Sequence, residues 1–423
     1  MEKSIYPNLK ALGILLGSIF LMWSCSKDEP RDHVEKAQLV LTASAVEIEM
    51  GETVTFEVTA GGTAVDADIY INDTRISGTT HTFEASNTYT VLAKKEGHPN
   101  SEAIQIRSYK VDVYIAGTEY FGSTGVAMYW KNGTPIKLTD GSGHAQANSL
   151  FVDRGDVYVA GVEFNGPKSV ATYWKNGVPQ RLTDEDQRAY AKSIVVDKGD
   201  VYVAGFDNSG LNSAAIYWKN DTPVPLTDGS QLAQATSMVV DNTDVYVAGF
   251  DNDGSKYVAA YWKNGIPVDL ADGSQHGEAS SIFVEGTDVY MAGYHKKDSE
   301  RMATYWKNGV PVALTDGVRY SNAYSIFVEG TDVYVAGLHD NGSKDVAVYW
   351  KNDTPVYLTD GSQHASASSI IISSGEVYVA GMQNNGSKDV ATYWKNGVAV
   401  ALTDGNQNAY AQFIAVVRTL GEK

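Results

Sequence analysis

The segment Ala303-Thr-Tyr-Trp-Lys-Asn-Gly-Val-Pro-Val-Ala-Leu-Thr-Asp-Gly317 occurs seven times along the chain in closely related forms. Successive copies are 44 residues apart, and a tyrosine series beginning at Tyr114 and a leucine series beginning at Leu138 keep the same step. A fixed period of this size indicates one supersecondary unit copied in tandem. The tryptophans that mark the copies are Trp130, Trp174, Trp218, Trp262, Trp306, Trp350 and Trp394.

Each copy contains four short runs rich in β-branched and aromatic residues. In the copy that begins at Ser281 they are Ser-Ile-Phe-Val, Val-Tyr-Met-Ala, Ala-Thr-Tyr-Trp and Pro-Val-Ala-Leu. Asn308-Gly309 joins the last two runs, and this pair favours a two-residue hairpin because both positions need positive φ. Four antiparallel strands in about 44 residues match one blade of a β-propeller. The sequence therefore predicts an all-β fold with a seven-bladed β-propeller over residues 109–418.

The order of the runs also predicts how the ring closes. If Ser-Ile-x-Val is the innermost strand, the array begins on a second strand (Val111 to Gly117) and ends on an unpaired first strand, Phe413-Ile-Ala-Val-Val417. We expect this last strand to pair beside Val113-Tyr-Ile115, because closure removes the exposed edge of an open sheet.

The repeat resembles a known extracellular family. The run Ala-x-Tyr-Trp-Lys-Asn-Gly, Leu-Thr-Asp-Gly, Ala-x-Ser-Ile, Val-Tyr-Val-Ala-Gly is similar to the HAF-type, kelch-like repeat and covers all seven copies. It departs from that pattern in having Thr-Asp before the second glycine and Tyr-Val-Ala before the last. The resemblance implies a fold and carries no catalytic residue.

Residues 36–108 show a different pattern of short alternating strands. In Glu52-Thr-Val-Thr-Phe-Glu-Val-Thr59, the side chains of Val54, Phe56 and Val58 share one face, which indicates a half-buried strand. Met-Gly-Glu-Thr-Val-Thr-Phe, Ile-Tyr-Ile-Asn and Tyr-Thr-Val resemble a bacterial immunoglobulin-like domain. The resemblance implies a small β-sandwich that acts as a spacer, with an adhesive role as the alternative.

The N-terminus carries an export pattern. Lys3 and Lys10 precede an apolar run from Ala11 to Trp23, which is the length of a secretory signal and short for a membrane span. Met22-Trp-Ser-Cys25 resembles a bacterial lipobox, although Met22 and Trp23 depart from its preferred residues; a plain signal peptide is the alternative. We predict a lipoprotein signal peptide at 1–24, lipidation of Cys25 and an acidic tether at 25–35. The tether resembles the export signal of surface lipoproteins, which implies an outer-membrane protein displayed on the cell surface.

Composition limits the partners. The net charge of 33 − 51 = −18 argues against nucleic acid and favours a chain that repels its own copies, so we expect a monomer. Cys25 is the single cysteine, which excludes an intramolecular disulfide. We identify no cofactor motif, and Asp251-Asn-Asp-Gly-Ser255 lacks the positions of a complete calcium loop.

Residues common to every copy are predicted to be structural. We expect the tryptophans to be buried between blades, with the adjacent tyrosine in the opposite interface. The aspartates of Thr-Asp-Gly are expected to hold their turns through side-chain to backbone hydrogen bonds. They are Asp140, Asp184, Asp228, Asp272, Asp316, Asp360 and Asp404.

Function is then expected where the copies differ, in the loops that emerge on one face after the second and fourth strands. Solvated loops without a binding role are the alternative. The position two residues beyond the second-strand glycine holds Glu119, Glu163, Asp207, Asp251, His295, His339 and Gln383. The equivalent position after the fourth strand holds His144, Arg188, Leu232, His276, Tyr320, His364 and Asn408. We predict that these side chains, apart from Leu232 and Asn408, form a ligand-binding rim.

The leading functional hypothesis is a non-catalytic platform that binds an extracellular glycan or protein. One alternative is a polysaccharide lyase or hydrolase using paired carboxylates such as Glu163 and Asp207; another is a structural envelope protein. We find no phosphate loop, His-Glu-x-x-His or nucleophile elbow, so no residue is predicted to be catalytic.

Overall fold

The structure is a computed structural model that describes residues 36–185, 187–268, 270, 276–297 and 299–421. The secondary-structure elements formed by these residues are all β-strands. The described chain forms two compact units, and their boundary falls inside one strand. The N-terminal unit includes Glu52–Phe83 and Thr88–Arg107, and the C-terminal unit includes everything described from Ser108 onward. The predicted signal peptide, Cys25 and the tether lie outside the described residues.

The N-terminal unit is built on short strands around one apolar core. Strand β3 pairs with β1, β4 and β7, and β5 pairs with β6 and β8. Val54, Phe56 and Val58 of β3 are all buried, which confirms the predicted alternation. The first eight strands are β1 (Leu39–Ala43), β2 (Glu47–Glu49), β3 (Thr53–Ala60), β4 (Thr63–Ala64), β5 (Asp68–Ile71), β6 (Thr74–Arg75), β7 (Thr80–Thr82) and β8 (Asn87–Lys94).

The repeats form the remaining strands, and each copy contributes four. The first half comprises β9 (Ile104–Phe121), β10 (Thr124–Lys131), β11 (Thr134–Lys137), β12 (Ala145–Asp153), β13 (Asp156–Asn165), β14 (Lys168–Lys175), β15 (Val178–Arg181), β16 (Ala189–Asp197), β17 (Asp200–Asp207), β18 (Ala214–Lys219), β19 (Thr222–Pro225), β20 (Gln234–Asp241), β21 (Asp244–Asn252) and β22 (Tyr257–Lys263). The second half comprises β23 (Ile266–Val268), β24 (Gly277–Glu285), β25 (Asp288–Lys297), β26 (Glu300–Lys307), β27 (Val310–Ala313), β28 (Ser321–Glu329), β29 (Asp332–Asp340), β30 (Asp345–Lys351), β31 (Thr354–Tyr357), β32 (Ala365–Ser373), β33 (Glu376–Asn384), β34 (Asp389–Lys395), β35 (Val398–Ala401) and β36 (Asn408–Leu420).

These strands form repeated four-stranded antiparallel sheets, which is the architecture of β-propeller blades. Six sheets, beginning at β12, β16, β20, β24, β28 and β32, each take four strands in chain order. The ladder of β36, β9, β10 and β11 repeats the same arrangement with strands from the two ends of the repeat array. The order of strands within each sheet is the predicted one.

The last strand completes the first sheet. Ile414, Ala415 and Val416 of β36 lie opposite Ile115, Tyr114 and Val113 of β9, which confirms the predicted pairing. The first strand of each sheet contacts the first strand of the next, and β36 contacts both β32 and β12. The series of first strands therefore returns to its starting point.

Aromatic side chains fill the space between neighbouring sheets. Trp130 and Trp394 are fully buried, and Trp306, the most accessible of the seven, is 3% exposed. Tyr129 packs in the cluster that contains Trp174, whereas Trp130 packs with Tyr378 in a different cluster. Tryptophan and the preceding tyrosine therefore face opposite interfaces, as predicted, and the tryptophans serve as core rather than as ligand-binding surface.

The Lys-Asn pair that follows each tryptophan has a local structural role. The Asn308 side chain accepts a hydrogen bond from the Val289 N–H at 2.9 Å and donates one to Asp288 at 2.8 Å. The Lys307 ammonium lies 2.9 Å from the Asp288 carboxylate and 5.1 Å from the centre of the Tyr290 ring. These contacts tie the hairpin between third and fourth strands to the start of the second strand.

The aspartates of Thr-Asp-Gly stabilise turns in most copies. Asp140 accepts a hydrogen bond from the N–H two residues ahead at 2.8 Å, and Asp228, Asp316, Asp360 and Asp404 repeat this contact. Asp184 differs, because its N–H donates to the side chain of Gln187. Asp272 lies outside the described residues.

Candidate functional site

Every first strand of the C-terminal unit contains a one-residue β-bulge. In the sheet that begins at β12, Ala147 lies opposite Gly161 and Ser149 opposite Ala160, so Asn148 has no partner on β13. A Cβ on Gly161 would collide with the Gln146 carbonyl oxygen, which explains the glycine that ends Val-Tyr-Val-Ala-Gly. Bulges re-aim the extra side chain. The unpaired positions, which we call the bulge residues, are Asn148, Lys192, Thr236, Ser280, Tyr324, Ser368 and Gln412.

The bulge residues from all first strands line one cavity. Its volume is about 580 Å³, and we call it the central cavity. Ser366 and Tyr410, near the beginnings of two first strands, also line it. The cavity falls within the size range of small-ligand sites in proteins. Its lining differs from copy to copy, whereas the sheets around it repeat.

The residue after each bulge links neighbouring first strands. The hydroxyl of Ser149 accepts a hydrogen bond from the Ile194 N–H of the next sheet at 3.4 Å. Ser193, Ser237, Ser281, Ser325 and Ser369 repeat this contact at 3.2–3.3 Å. Phe413 stands in the corresponding position on β36 and packs in the cluster that contains Leu150. We call the serines of this set the linking serines.

Among the described residues that line the cavity, Lys192 is the single cation. No carboxylate in the described ranges forms an ion pair with it, and burial lowers the pKa of its ammonium. The ammonium lies 5.9 Å from the ring centres of both Tyr190 and Phe206. Lys192 is half-buried, and a partly desolvated ammonium without an ion-pair partner gains from a nearby anion, so this position is suited to an anionic ligand.

Most of the other lining groups are polar, and Leu338, Met382 and Phe413 add apolar surface. Burial raises the pKa of Tyr324 to about 12, so its hydroxyl is protonated at neutral pH. Asp345 is the one lining carboxylate, and it lies 3.3 Å from the imidazole of His364. Asn148 donates to the Ala191 carbonyl and Thr236 to the Ala279 carbonyl, both at 2.8 Å. The described lining therefore combines hydroxyl and amide groups with one ammonium, one carboxylate and some apolar surface.

An arc of aromatic rings lies beside this cavity. Neighbouring ring centres are 4.7–6.0 Å apart along the series, and the Tyr190 and Phe206 rings are stacked. Tyr410 at one end lines the cavity, and Lys192 approaches the other end. Most of these rings are half-buried, whereas Phe206 is buried. The aromatic arc consists, in order, of Tyr410, Tyr120, His144, Phe164, Tyr190 and Phe206.

The predicted second-strand series does not line the central cavity. Its members lie at the ends of second strands, and several line separate crevices between consecutive sheets: Glu163, Asp207, His295 and His339 each occupy a different crevice. Glu163 and His144 share a crevice of about 210 Å³, which is the one case among these crevices where residues from both predicted series meet.

Acidic members of this series have different surroundings. Glu163 lies 3.4 Å from Arg181 and accepts a hydrogen bond from Thr172. Burial raises the pKa of Glu119, and the nearby Asp404 raises it further while Lys137 opposes the change. Burial also raises the pKa of Asp251. Asp207 accepts the Ser209 N–H at 2.8 Å, and Gln383 lies opposite Ala365 at its strand end.

The predicted fourth-strand series has a mainly structural set of contacts. His144 accepts the Gly125 N–H at 2.8 Å, and burial lowers the pKa of its imidazole. His276 and His364 accept the N–H groups of Tyr257 and Asp345 at 3.2 Å. These imidazoles join the loop to the third strand of the preceding sheet. Arg188 and Tyr320 differ: the Arg188 N–H donates to Ser209, and Tyr320 lies near Arg301.

Two further findings concern only the residues that the structure describes. His, Cys, Asp and Glu do not form a group of three that could hold an ion there. The same residues include no helix long and apolar enough to cross a bilayer.

Sequence reasoning missed the bulge residues. They keep the 44-residue step, and six of the seven precede a linking serine, yet they vary between Asn, Lys, Thr, Ser, Tyr and Gln. The available signal was a variable residue directly before a repeated serine. Variable residues are usually sought in loops, and these lie within strands.

Comparisons with known proteins define only a distant likeness. No family model matches the chain, and no curated protein matches it. Among solved structures, TolB from Acinetobacter baumannii aligns with a TM-score of 0.43 at 10% identity, covering 77% of this chain and 97% of its own. A protein of unknown function from Bacteroides thetaiotaomicron VPI-5482 aligns with a TM-score of 0.40 at 10% identity, covering 89% of this chain and 98% of its own.

A third structure is the GH43 endo-arabinanase from Bacillus licheniformis, with a TM-score of 0.27 at 13% identity, covering 49% of this chain and 96% of its own. At these TM-scores and identities, the likenesses provide no basis for choosing an activity. The HAF-type resemblance and the immunoglobulin-like resemblance remain predictions. What is established is an all-β chain whose C-terminal unit has β-propeller architecture.

Proposed function

We propose that this chain is a non-catalytic binding protein whose C-terminal unit binds an extracellular oligosaccharide at the aromatic arc and central cavity. The supporting observation is the juxtaposition of half-buried rings with a cavity lined by hydroxyl and amide groups. Sugars present apolar C–H faces and polar hydroxyl edges, so a site that combines flat rings with convergent polar groups suits them.

The proposed scaffold is a closed seven-bladed propeller. Six complete sheets and the ladder of β36, β9, β10 and β11 supply seven equivalent units. The contacts of β36 with both β12 and β32 support closure. Closure brings all bulge residues to one cavity, whereas an open array would separate the first and last.

The proposed cellular setting rests on the sequence. A lipid on Cys25 would hold the chain at the outer membrane, and an immunoglobulin-like N-terminal unit would act as its spacer. Cys25→Ser should release the protein from the membrane fraction and abolish incorporation of labelled fatty acid. Continued membrane retention without labelling would point to a plain signal peptide and another mode of attachment.

Binding is tested with the purified full-length chain on an array of oligosaccharides. Tyr190→Ala and Tyr120→Ala should each weaken binding roughly tenfold, equivalent to about 1.4 kcal/mol. Tyr357→Ala is the matched control, because this tyrosine is 55% exposed on an outer strand away from the arc. Equal losses in all three variants, or binding unaffected by the arc variants, would contradict the proposed site.

The same assay distinguishes the catalytic alternative. Binding without new reducing ends or unsaturated products favours the platform. Product release that is lost in Glu163→Ala and Asp207→Ala would instead favour a lyase or hydrolase in the crevices between sheets. Loss of binding in those two variants, with the arc variants unchanged, would restore the originally predicted rim as the ligand site.

A further inference from the structure

We infer that the central cavity contains a carboxylate-binding subsite centred on Lys192, and that its ligand is an acidic sugar. This inference deepens the proposed function, because the sugar would be part of the oligosaccharide at the aromatic arc. It also makes a separate claim about charge, which can be tested on its own.

The first argument is the absence of a negative partner. Lys192 lies at a bulge and lines a cavity whose other polar groups are mainly neutral hydroxyls and amides, and the described residues provide it with no ion-pair partner. Asp345, the other charged lining group, belongs to a strand three sheets further along the chain and has His364 as its neighbour. A half-buried cation without an ion-pair partner would be stabilised by a bound anion.

The second argument concerns which anion fits. A single ammonium with neutral hydrogen-bond donors around it matches a monoanion, whereas phosphate sites more commonly combine several cations or a bidentate arginine. The chain carries a net charge of −18, so an extended polyanion would be repelled by its surface. A carboxylate on an otherwise neutral molecule satisfies both conditions.

The third argument connects the carboxylate with a sugar. The Lys192 ammonium is 5.9 Å from the ring centres of Tyr190 and Phe206, so this cavity-lining residue lies beside the end of the aromatic arc. A pyranose ring lying against Tyr190 would place a substituent carboxylate within reach of this ammonium. Thr236 and Asn148, on the adjacent first strands, line the same cavity; their donated hydrogen bonds to backbone carbonyls leave the Thr236 oxygen and the second Asn148 N–H as the groups that could meet a ligand.

The experiment observes Lys192 directly. Lysines of the full-length chain are converted to their ¹³C-dimethyl forms, and the Lys192 resonance is assigned by its absence from Lys192→Gln. Glucuronate should shift this resonance in a saturable manner, and glucose at the same concentration should shift it at least tenfold less. Lys198, which is exposed at the far end of the same strand pair, is the matched control and should not respond.

Lys192→Arg keeps the charge and should retain a preference for glucuronate over glucose in calorimetric titration, whereas Lys192→Gln should lose at least about tenfold in glucuronate affinity, or 1.4 kcal/mol. An unmoved Lys192 resonance, an equal response to glucose, or a parallel response of Lys198 would overturn the inference. If glucuronate shifts the Lys192 resonance but the oligosaccharide array shows no binding, the carboxylate-binding subsite stands and the proposed function is wrong.

Discussion

Two adjacent positions on the first strands of the C-terminal unit behave in opposite ways. The position after each bulge is serine in six of seven copies, and each serine accepts a backbone N–H from the next sheet. The bulge position itself holds six different residue types and lines the central cavity. The serines line the same cavity, so one residue of spacing separates a repeated contact between sheets from a variable side chain.

The bulge is what makes this separation possible. In a regular strand, neighbouring side chains alternate between the two faces. In these sheets, each face is covered by a different neighbouring sheet. The extra residue escapes that alternation and lines the cavity, where its type varies; in two copies, at Asn148 and Thr236, it also donates a hydrogen bond to the next sheet. The fold can therefore vary its ligand-facing groups without changing its core.

The largest expected effect comes from removing the strand that closes the series. Deletion of residues 413–423 should abolish the cooperative thermal transition, because β9 and the neighbouring first strands would lose their partner. Differential scanning calorimetry measures the transition, and deletion of residues 422–423 alone is the control. A melting curve unchanged by the longer deletion would contradict closure through β36.

We expect removal of one tryptophan between sheets to lower the free energy of unfolding less than loss of β36 does, but more than removal of any single polar contact. Trp306→Ala removes a side chain that is 3% exposed, and we expect a loss of about 3–5 kcal/mol in the free energy of unfolding. Urea denaturation provides the measurement. Val310→Ala, at a position 56% exposed on the next strand, should change it by less than about 0.5 kcal/mol.

The linking serine and its neighbouring bulge residue provide the sharpest test of the comparison. Ser281→Ala leaves the Ile326 N–H without its acceptor and should cost about 1–2 kcal/mol. Ser280→Ala removes the same hydroxyl group one residue earlier, at the cavity, and should cost less than about 0.5 kcal/mol. Equal losses in urea denaturation would mean that the two positions do not have separate roles.

Most of the fold followed from periodic features of the sequence. The strand order, the pairing of β36 with β9 and the burial of Trp130 and its counterparts depend on local turns and on apolar side chains that repeat at a fixed step. Such features are visible in one copy and reinforced by six others. The pairing of β36 was predictable because the copies alone leave one first strand without a second.

The site was harder to predict because a bulge leaves no clear sequence signature. Lys192 lies inside a strand pattern and reads as an ordinary solvent-facing residue. The histidines, in contrast, resemble candidate ligands, yet His276 and His364 accept backbone N–H groups. Residue type indicates the chemistry that is available, whereas the backbone irregularity decides which side chains converge.

Substitution of Lys192 is expected to change stability the least of these tests. Whether stability rises or falls distinguishes a binding residue from a structural one. Burial of the unpaired ammonium disfavours the folded state, so Lys192→Met should increase the free energy of unfolding by about 1 kcal/mol at neutral pH. A structural lysine would instead make the protein less stable when removed. Lys198→Met, at an exposed position, should have almost no effect.

The difference between Lys192→Met and the unsubstituted protein should depend on pH in one direction. The folded-state pKa of Lys192 lies below the value of 10.5 for the unfolded chain, so between these values the unfolded state binds more protons and stability rises with pH. The advantage of the methionine variant is therefore largest at neutral pH and shrinks as the pH rises through the folded-state pKa toward 10.5. Tyr324, Asp345 and Tyr410 line the same cavity in both proteins, so comparing the two stability curves isolates the lysine. A gap that widens with rising pH would mean that the folded protein stabilises the ammonium, and would remove the reason for assigning it to a ligand.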